Sequence, residues 1–232
     1  MEKSKIIEKL FFNIVTYSYL LIPIGFLVFS FRKYRKAPVP LTLALYGVIF
    51  FVLLFFYYDI PTEYSKYYQS FYTFLEYAVF AFLFYWNIQS KKFRNFLIFA
   101  SILFLVFQII YLLTIKVRRL DSIPVGIETI LLLTYIIYFF FDFSKHSTTS
   151  YIYNHYCFWL SLGILFYLGG SFFFYILIDH LDKDEINTFG NLTYMAEIGK
   201  NILFTTSIFF YARSPYTKQI KNREPIPFLD HI

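Results

Sequence analysis

Apolar residues in this chain come in long blocks set apart by short polar breaks. Seven blocks, residues 10–31, 40–58, 70–89, 96–115, 124–143, 157–178 and 192–212, are built mainly from Phe, Leu, Ile, Val and Tyr. A helix needs about 20 mostly apolar residues to cross a bilayer core, so the pattern predicts an all-α fold, a polytopic bundle of seven transmembrane helices. The breaks carry helix punctuation: Pro38 and Pro40 before the second block, Pro61 after it, and Pro124 at the start of the fifth. The seventh block is the most polar, because it contains Glu197 and Lys200. The first is too long for the apolar core of a cleaved signal and has no small-residue cleavage site after it, so it is expected to stay as a span. Residues 1–212 then form one transmembrane domain. Residues 213–232, with Pro215, Pro225 and Pro227, read as a solvated cytoplasmic tail.

Composition sharpens this. The 232 residues are 58% hydrophobic and 16% charged, against roughly 25% charged in a water-soluble domain. Aromatics make up 25%, which also excludes a disordered chain. The net charge of +6 does not point to nucleic acid, since the basic residues lie in short loops rather than on a folded face. They report orientation instead. With the N-terminus outside, 12 Lys/Arg fall inside, among them Arg32, Lys33, Arg35, Lys36, Lys91, Lys92 and Arg94, and 8 fall outside. Lys116, Arg118 and Arg119 run against the trend. The expectation is a multi-pass protein of the inner cell membrane, N-out and C-in. Its partners would be the lipid bilayer and a cytoplasmic or membrane signalling protein, with no nucleic acid. The single Cys157 leaves no intramolecular disulfide.

Ionisable groups inside a span cost about 2.5–3.5 kcal/mol or more at the bilayer centre, so they usually face the bundle interior and act there. Glu76, Glu128, Glu197 and Lys200 qualify. On helices running from outside to inside they are the seventh, fifth, sixth and ninth residues of their blocks. At about 1.5 Å per residue, all lie in the outer half. Glu197, Lys200 and Asn201 share one helix face, at spacings of three and four, and Thr205 continues it. Gln108 on the fourth block sits at a depth where it would join them. Gly163 and Gly170 on the sixth open a path for close approach by a neighbour.

Several readings stay open at this point. Lys200 could neutralise Glu197 or Glu76 within a structural network that Glu128, Asn201 and Gln108 complete. The same groups, with Tyr and Phe, could line an outward pocket for a small ligand. A proton or solute pathway needs polar stations along the whole depth, and the inner halves of these blocks are nearly pure Phe, Leu, Ile and Tyr. Catalysis has as little behind it as a pathway: His146, His155, His180 and His231 all fall in loops or the tail, so no metal is expected, and the acidic stretch 179–185 reads as a solvated cap. Lys200 on the last span suggests a retinal Schiff base, but the companion aromatic pocket is missing, so no cofactor is expected.

Leu75-Glu76, Ile127-Glu128, Gly163-Ile164 through Gly170-Ser171-Phe172, and Lys200-Asn201-Ile202-Leu203-Phe204 together resemble small seven-helix membrane proteins of Bacteroidota, often encoded near sensor histidine kinases. The resemblance covers most of the chain and implies a sensory role exerted through a partner. The leading expectation is a receptor-like module, not an enzyme. Its ligand site would comprise Glu76, Glu128, Glu197, Lys200, Asn201 and Gln108. The alternatives are a small-solute or proton-coupled transporter, an intramembrane lipid enzyme and a structural membrane subunit.

Overall fold

The computed structural model describes residues 2–30, 37–61, 63–114, 122–146, 152–177 and 183–213. Their regular structure is helical, with no strand among the described residues. A first rod consists of α1 (Glu2–Ser18), α2 (Leu21–Gly25) and a π-helical turn (Phe26–Ser30). Six helices follow: α3 (Pro38–Phe55), α4 (Ser65–Asn87), α5 (Lys91–Thr114), α6 (Ser122–His146), α7 (Tyr156–Leu177) and α8 (Lys183–Arg213). Four segments, Lys9–Ser30, Pro38–Phe55, Lys91–Thr114 and Ile123–Lys145, are long and apolar enough to cross a membrane, which is the build of a membrane protein. In α7 the apolar run is shorter, Tyr156–Ser171. α4 opens on Ser65, Lys66, Gln69 and Ser70, and α8 carries Glu197, Lys200 and Asn201 within its apolar stretch, so both are more polar than the rest.

The helices begin earlier than the apolar blocks. α8 starts at Lys183, nine residues before residue 192, and α4 and α5 each start five residues early. Backbone hydrogen bonding does not require apolar side chains, so polar turns extend a helix past the stretch that hydropathy marks. Asp184 and Glu185, expected in a solvated outer cap, are therefore helical. Asp179, His180, Asp182 and the tail beyond Arg213 lie outside the described residues.

Pro23 explains the break in the first rod. A proline ring clashes with the carbonyl four residues earlier and cannot donate to it. That carbonyl belongs to Tyr19; it accepts from the Ile22 N–H at 3.3 Å instead, while Leu20 N–H turns back to the Tyr17 oxygen at 3.1 Å. Gly47 on α3 fits against this break: a Cβ there would stand 2.7 Å from Pro23 Cδ and 2.8 Å from the Tyr19 oxygen. No other residue fits without displacing the backbone. Tyr19 is fully buried as a result.

The first rod, α3, α4, α6, α7 and α8 form a ring in which each packs on the next, and α5 packs on the outside against α4 and α6. α7 and α8 are the most closely paired, as the glycine spacing predicted. Gly163 faces Phe204 and Leu203, and Gly170 touches Ala196. Outward-facing apolar residues such as Leu113, Phe99, Ile137 and Val28 are exposed, as lipid-facing positions would be. Inside, Tyr46, Phe50, Phe80 and Phe204 interlock, with Tyr46–Phe50 centroids 4.3 Å apart and Phe80 nearly perpendicular to Phe204 at 88°.

Candidate functional site

The charged side chains of α4 and α8 meet at the level of the break in the first rod. Lys200 on α8 is completely buried, and its Nζ lies 2.9 Å from Glu76 Oε1 on α4. An ammonium has three N–H groups to satisfy. One donates to Glu76, a second to the Tyr19 hydroxyl at 3.2 Å. On its remaining side the ammonium faces the Tyr167 ring, 3.8 Å from the centroid, where the electron-rich aromatic face attracts a cation. Glu76 is equally well held. Its Oε1 also accepts from Tyr46 at 2.8 Å and its Oε2 from Tyr167 at 3.0 Å. A buried ion pair survives only when such extra hydrogen bonds offset its desolvation; here three tyrosines supply them.

Glu197, one turn above Lys200, is more loosely held. Tyr19 and Tyr72 hydroxyls stand 3.4 and 3.5 Å from its two oxygens, and 3.2 Å from each other. Glu128 on α6 is 5% exposed, and among the described residues no hydrogen bond or ion pair reaches its carboxyl. Three carboxyls therefore share one fixed ammonium, and that ammonium is bound to Glu76.

A cavity of about 340 Å³ adjoins this cluster. It lies toward the end of the bundle that holds the N-terminal halves of α4, α6 and α8. Its wall draws on α1 (Phe12, Val15), the end of α3, α4 (Gln69, Tyr72, Thr73, Glu76), α6 (Val125, Glu128, Thr129), α7 (Tyr167, Ser171, Phe174) and α8 (Asn191, Tyr194, Glu197). All three glutamates reach it. Below Glu76 the ring closes with the buried side chains of Phe80, Phe84, Phe139, Phe204 and Ile208.

Of the six residues expected at the site, Glu76, Glu128 and Glu197 line the cavity. Lys200 lies just beneath it, reaching the void only through its partners Glu76 and Tyr167. Asn201 lies deeper still: its Nδ2 donates to Ser18 Oγ at 2.8 Å, fastening α8 to the first rod, while its Oδ1 is buried with no partner among the described residues. Gln108 is not brought to the cluster. It donates to the Ser70 backbone oxygen at 3.2 Å and ties α5 to α4, because α5 sits outside the ring. Sequence reasoning missed the tyrosines. Tyr19, Tyr46, Tyr72 and Tyr167 surround the charges, and the signal available was that a buried tyrosine hydroxyl needs a polar partner. It also missed Asp142, buried near the opposite end, which accepts from the Gln89 N–H at 2.9 Å.

No three Asp, Glu, His or Cys side chains among the described residues stand close enough to share a metal ion. Near the far end His155 precedes α7. Its Nδ1 accepts from the Cys157 N–H at 3.2 Å, and its ring lies 4.6 Å from Tyr156 and 5.2 Å from Phe143. Burial lowers its pKa to about 4, which keeps the imidazole neutral and able to accept. Cys157 is a free, buried thiol. No protein-family model, curated protein or solved structure matches the chain.

Proposed function

We propose that the chain is a seven-span receptor-like module of the inner cell membrane, N-out and C-in, that binds a small ligand in an outward pocket and signals through a partner. The observation that carries this reading is the cavity lined by three glutamates toward one end of the bundle, above a layer of buried aromatic side chains. A conducting pathway would continue through that layer. The orientation rests on the Lys/Arg distribution, which sets the cavity mouth outside.

Transmission has a physical route. Tyr19 contacts both Lys200 and Glu197 and sits at the break of the first rod. The π-helical turn that follows packs on α8; such turns recur at functional sites. An occupant that draws Glu197 away from Tyr19 would release the break and shift the Phe26–Ser30 turn, which in the sequence leads into the basic run 32–36. Lys91, Lys92 and Arg94 offer a second basic contact for a partner, as the resemblance to proteins encoded near histidine kinases would require.

The test uses Thr73→Cys in a Cys157→Ser background, in nanodiscs, with a bulky maleimide attached at position 73 to occupy the cavity. Hydrogen exchange should change in the backbone around Phe26–Ser30 and at 88–94. Exchange altered only next to position 73 would make the cavity a passive space and count against a receptor.

A further inference from the structure

Lys200 shows what this layer of the bundle accommodates: one ammonium held between a carboxylate and aromatic faces. Its Nζ is 2.9 Å from Glu76 and 3.8, 5.3 and 5.5 Å from the ring centroids of Tyr167, Tyr19 and Tyr46. The adjoining void repeats that chemistry without the ammonium. Glu128 and Glu197, both more than nine-tenths buried, open into it, and Tyr57, Tyr68, Tyr72 and Tyr194 supply aromatic walls. The fixed cation is already engaged by Glu76.

A buried carboxylate with no counter-charge is costly; it takes up a proton or recruits a cation. A bare metal ion is a poor match, since no three ligating side chains converge among the described residues. A void of about 340 Å³ is at the small end of ligand pockets, and its mixed wall suits an ion that is partly apolar. We propose that the ligand is a small organic monocation, an amine in its ammonium form with an apolar or aromatic body. Its nitrogen would lie in the part of the void that Glu128 and Glu197 line, and its body would lie against the tyrosines. This rests on the outward-pocket reading and names the chemical class of its ligand.

The experiment compares three molecules of similar size, 2-phenylethylammonium, 2-phenylethanol and phenylacetate. Each is titrated into the full chain in nanodiscs and read by calorimetry and by thermal stabilisation. The ammonium should bind and the other two should bind far more weakly. Glu128→Gln should weaken the ammonium by at least about tenfold, the scale of losing a buried charge partner. Glu197→Gln should do the same. Both variants should keep the helical circular dichroism of the parent, because Glu128 lacks a partner to lose and Gln can still accept from the tyrosines at 197. Equal binding of alcohol and ammonium, unaffected by Glu128→Gln, would overturn the cation assignment and leave the pocket standing. Failure of the ammonium to bind at high millimolar concentration would also overturn the assignment. The pocket itself falls only if maleimide cannot reach position 73.

Discussion

Lys200→Met and Glu76→Gln, singly and together, probe the buried pair. Methionine matches the length of the lysine stem, and glutamine keeps the acceptor that Tyr46 and Tyr167 use at 2.8 and 3.0 Å. Lys200→Met leaves Glu76 with its two tyrosine donors and no counter-ion. Removing one member of a buried pair costs about 3–5 kcal/mol, and this loss belongs in that range because Lys200 and Glu76 are both shielded from solvent. Glu76→Gln leaves Lys200 with the Tyr19 oxygen and the Tyr167 ring, so it should fall near the lower limit. In the double variant both charges are gone and the tyrosines keep an acceptor. It should be more stable than either single variant, since a neutral pair of similar volume is often as stable as the ion pair it replaces. Reversible unfolding of each variant in mixed micelles gives the four free energies. A double variant destabilised by the sum of the singles would show that the two residues are uncoupled, and the described geometry would be refuted.

Other consequences follow from particular contacts. Tyr46→Phe removes a buried hydrogen bond to a carboxylate and should cost about 1.5–3 kcal/mol in the same unfolding assay; a neutral effect would mean Glu76 does not need this donor. Gly170→Val must displace Ala196 and should cost about 1–3 kcal/mol through overpacking, whereas Gly126→Val, with open space around it, should cost less. Because burial lowers the His155 pKa to about 4, the unfolded chain takes up a proton near pH 6.5 while the folded chain does not. Its contribution should be intact above that pH and be lost progressively as pH falls from about 6.5 towards 4. His155→Gln should flatten that part of the stability profile, and an unchanged profile would refute the argument.

The all-helical build was legible because hydrophobic length marks a membrane helix so directly, and four of the expected blocks fall in helices long and apolar enough to cross a membrane. The ionisable residues were legible for a related reason: Glu76, Glu128, Glu197 and Lys200 are expensive in lipid, so their presence in apolar blocks already pointed inward. What hydropathy lacks is the lateral arrangement. Gln108 has the right depth, but α5 lies outside the ring, and depth alone could not show it. Tyr19, Tyr46 and Tyr167 were lost among 23 tyrosines, because a tyrosine scores alike whether its hydroxyl is wet at an interface or bonded to a carboxylate. The break at Tyr19 follows from Pro23, a residue inside an apolar block that reads as uninterrupted by composition. Asp142 stood at the end of its block near Lys145, where a charge passes for the start of a loop.

The proposed receptor requires one void, open to the outside, that reaches the level of the three glutamates. It is tested most directly by Gln69→Cys, Thr73→Cys and Asn191→Cys in a Cys157→Ser background, treated in intact cells with a membrane-impermeant thiol reagent. Ser207→Cys, buried below the aromatic floor, serves as the control. Modification is expected at 69, 73 and 191 in intact cells and none at 207. Labelling at 73 only after the membrane is opened, or at no stage, would contradict it.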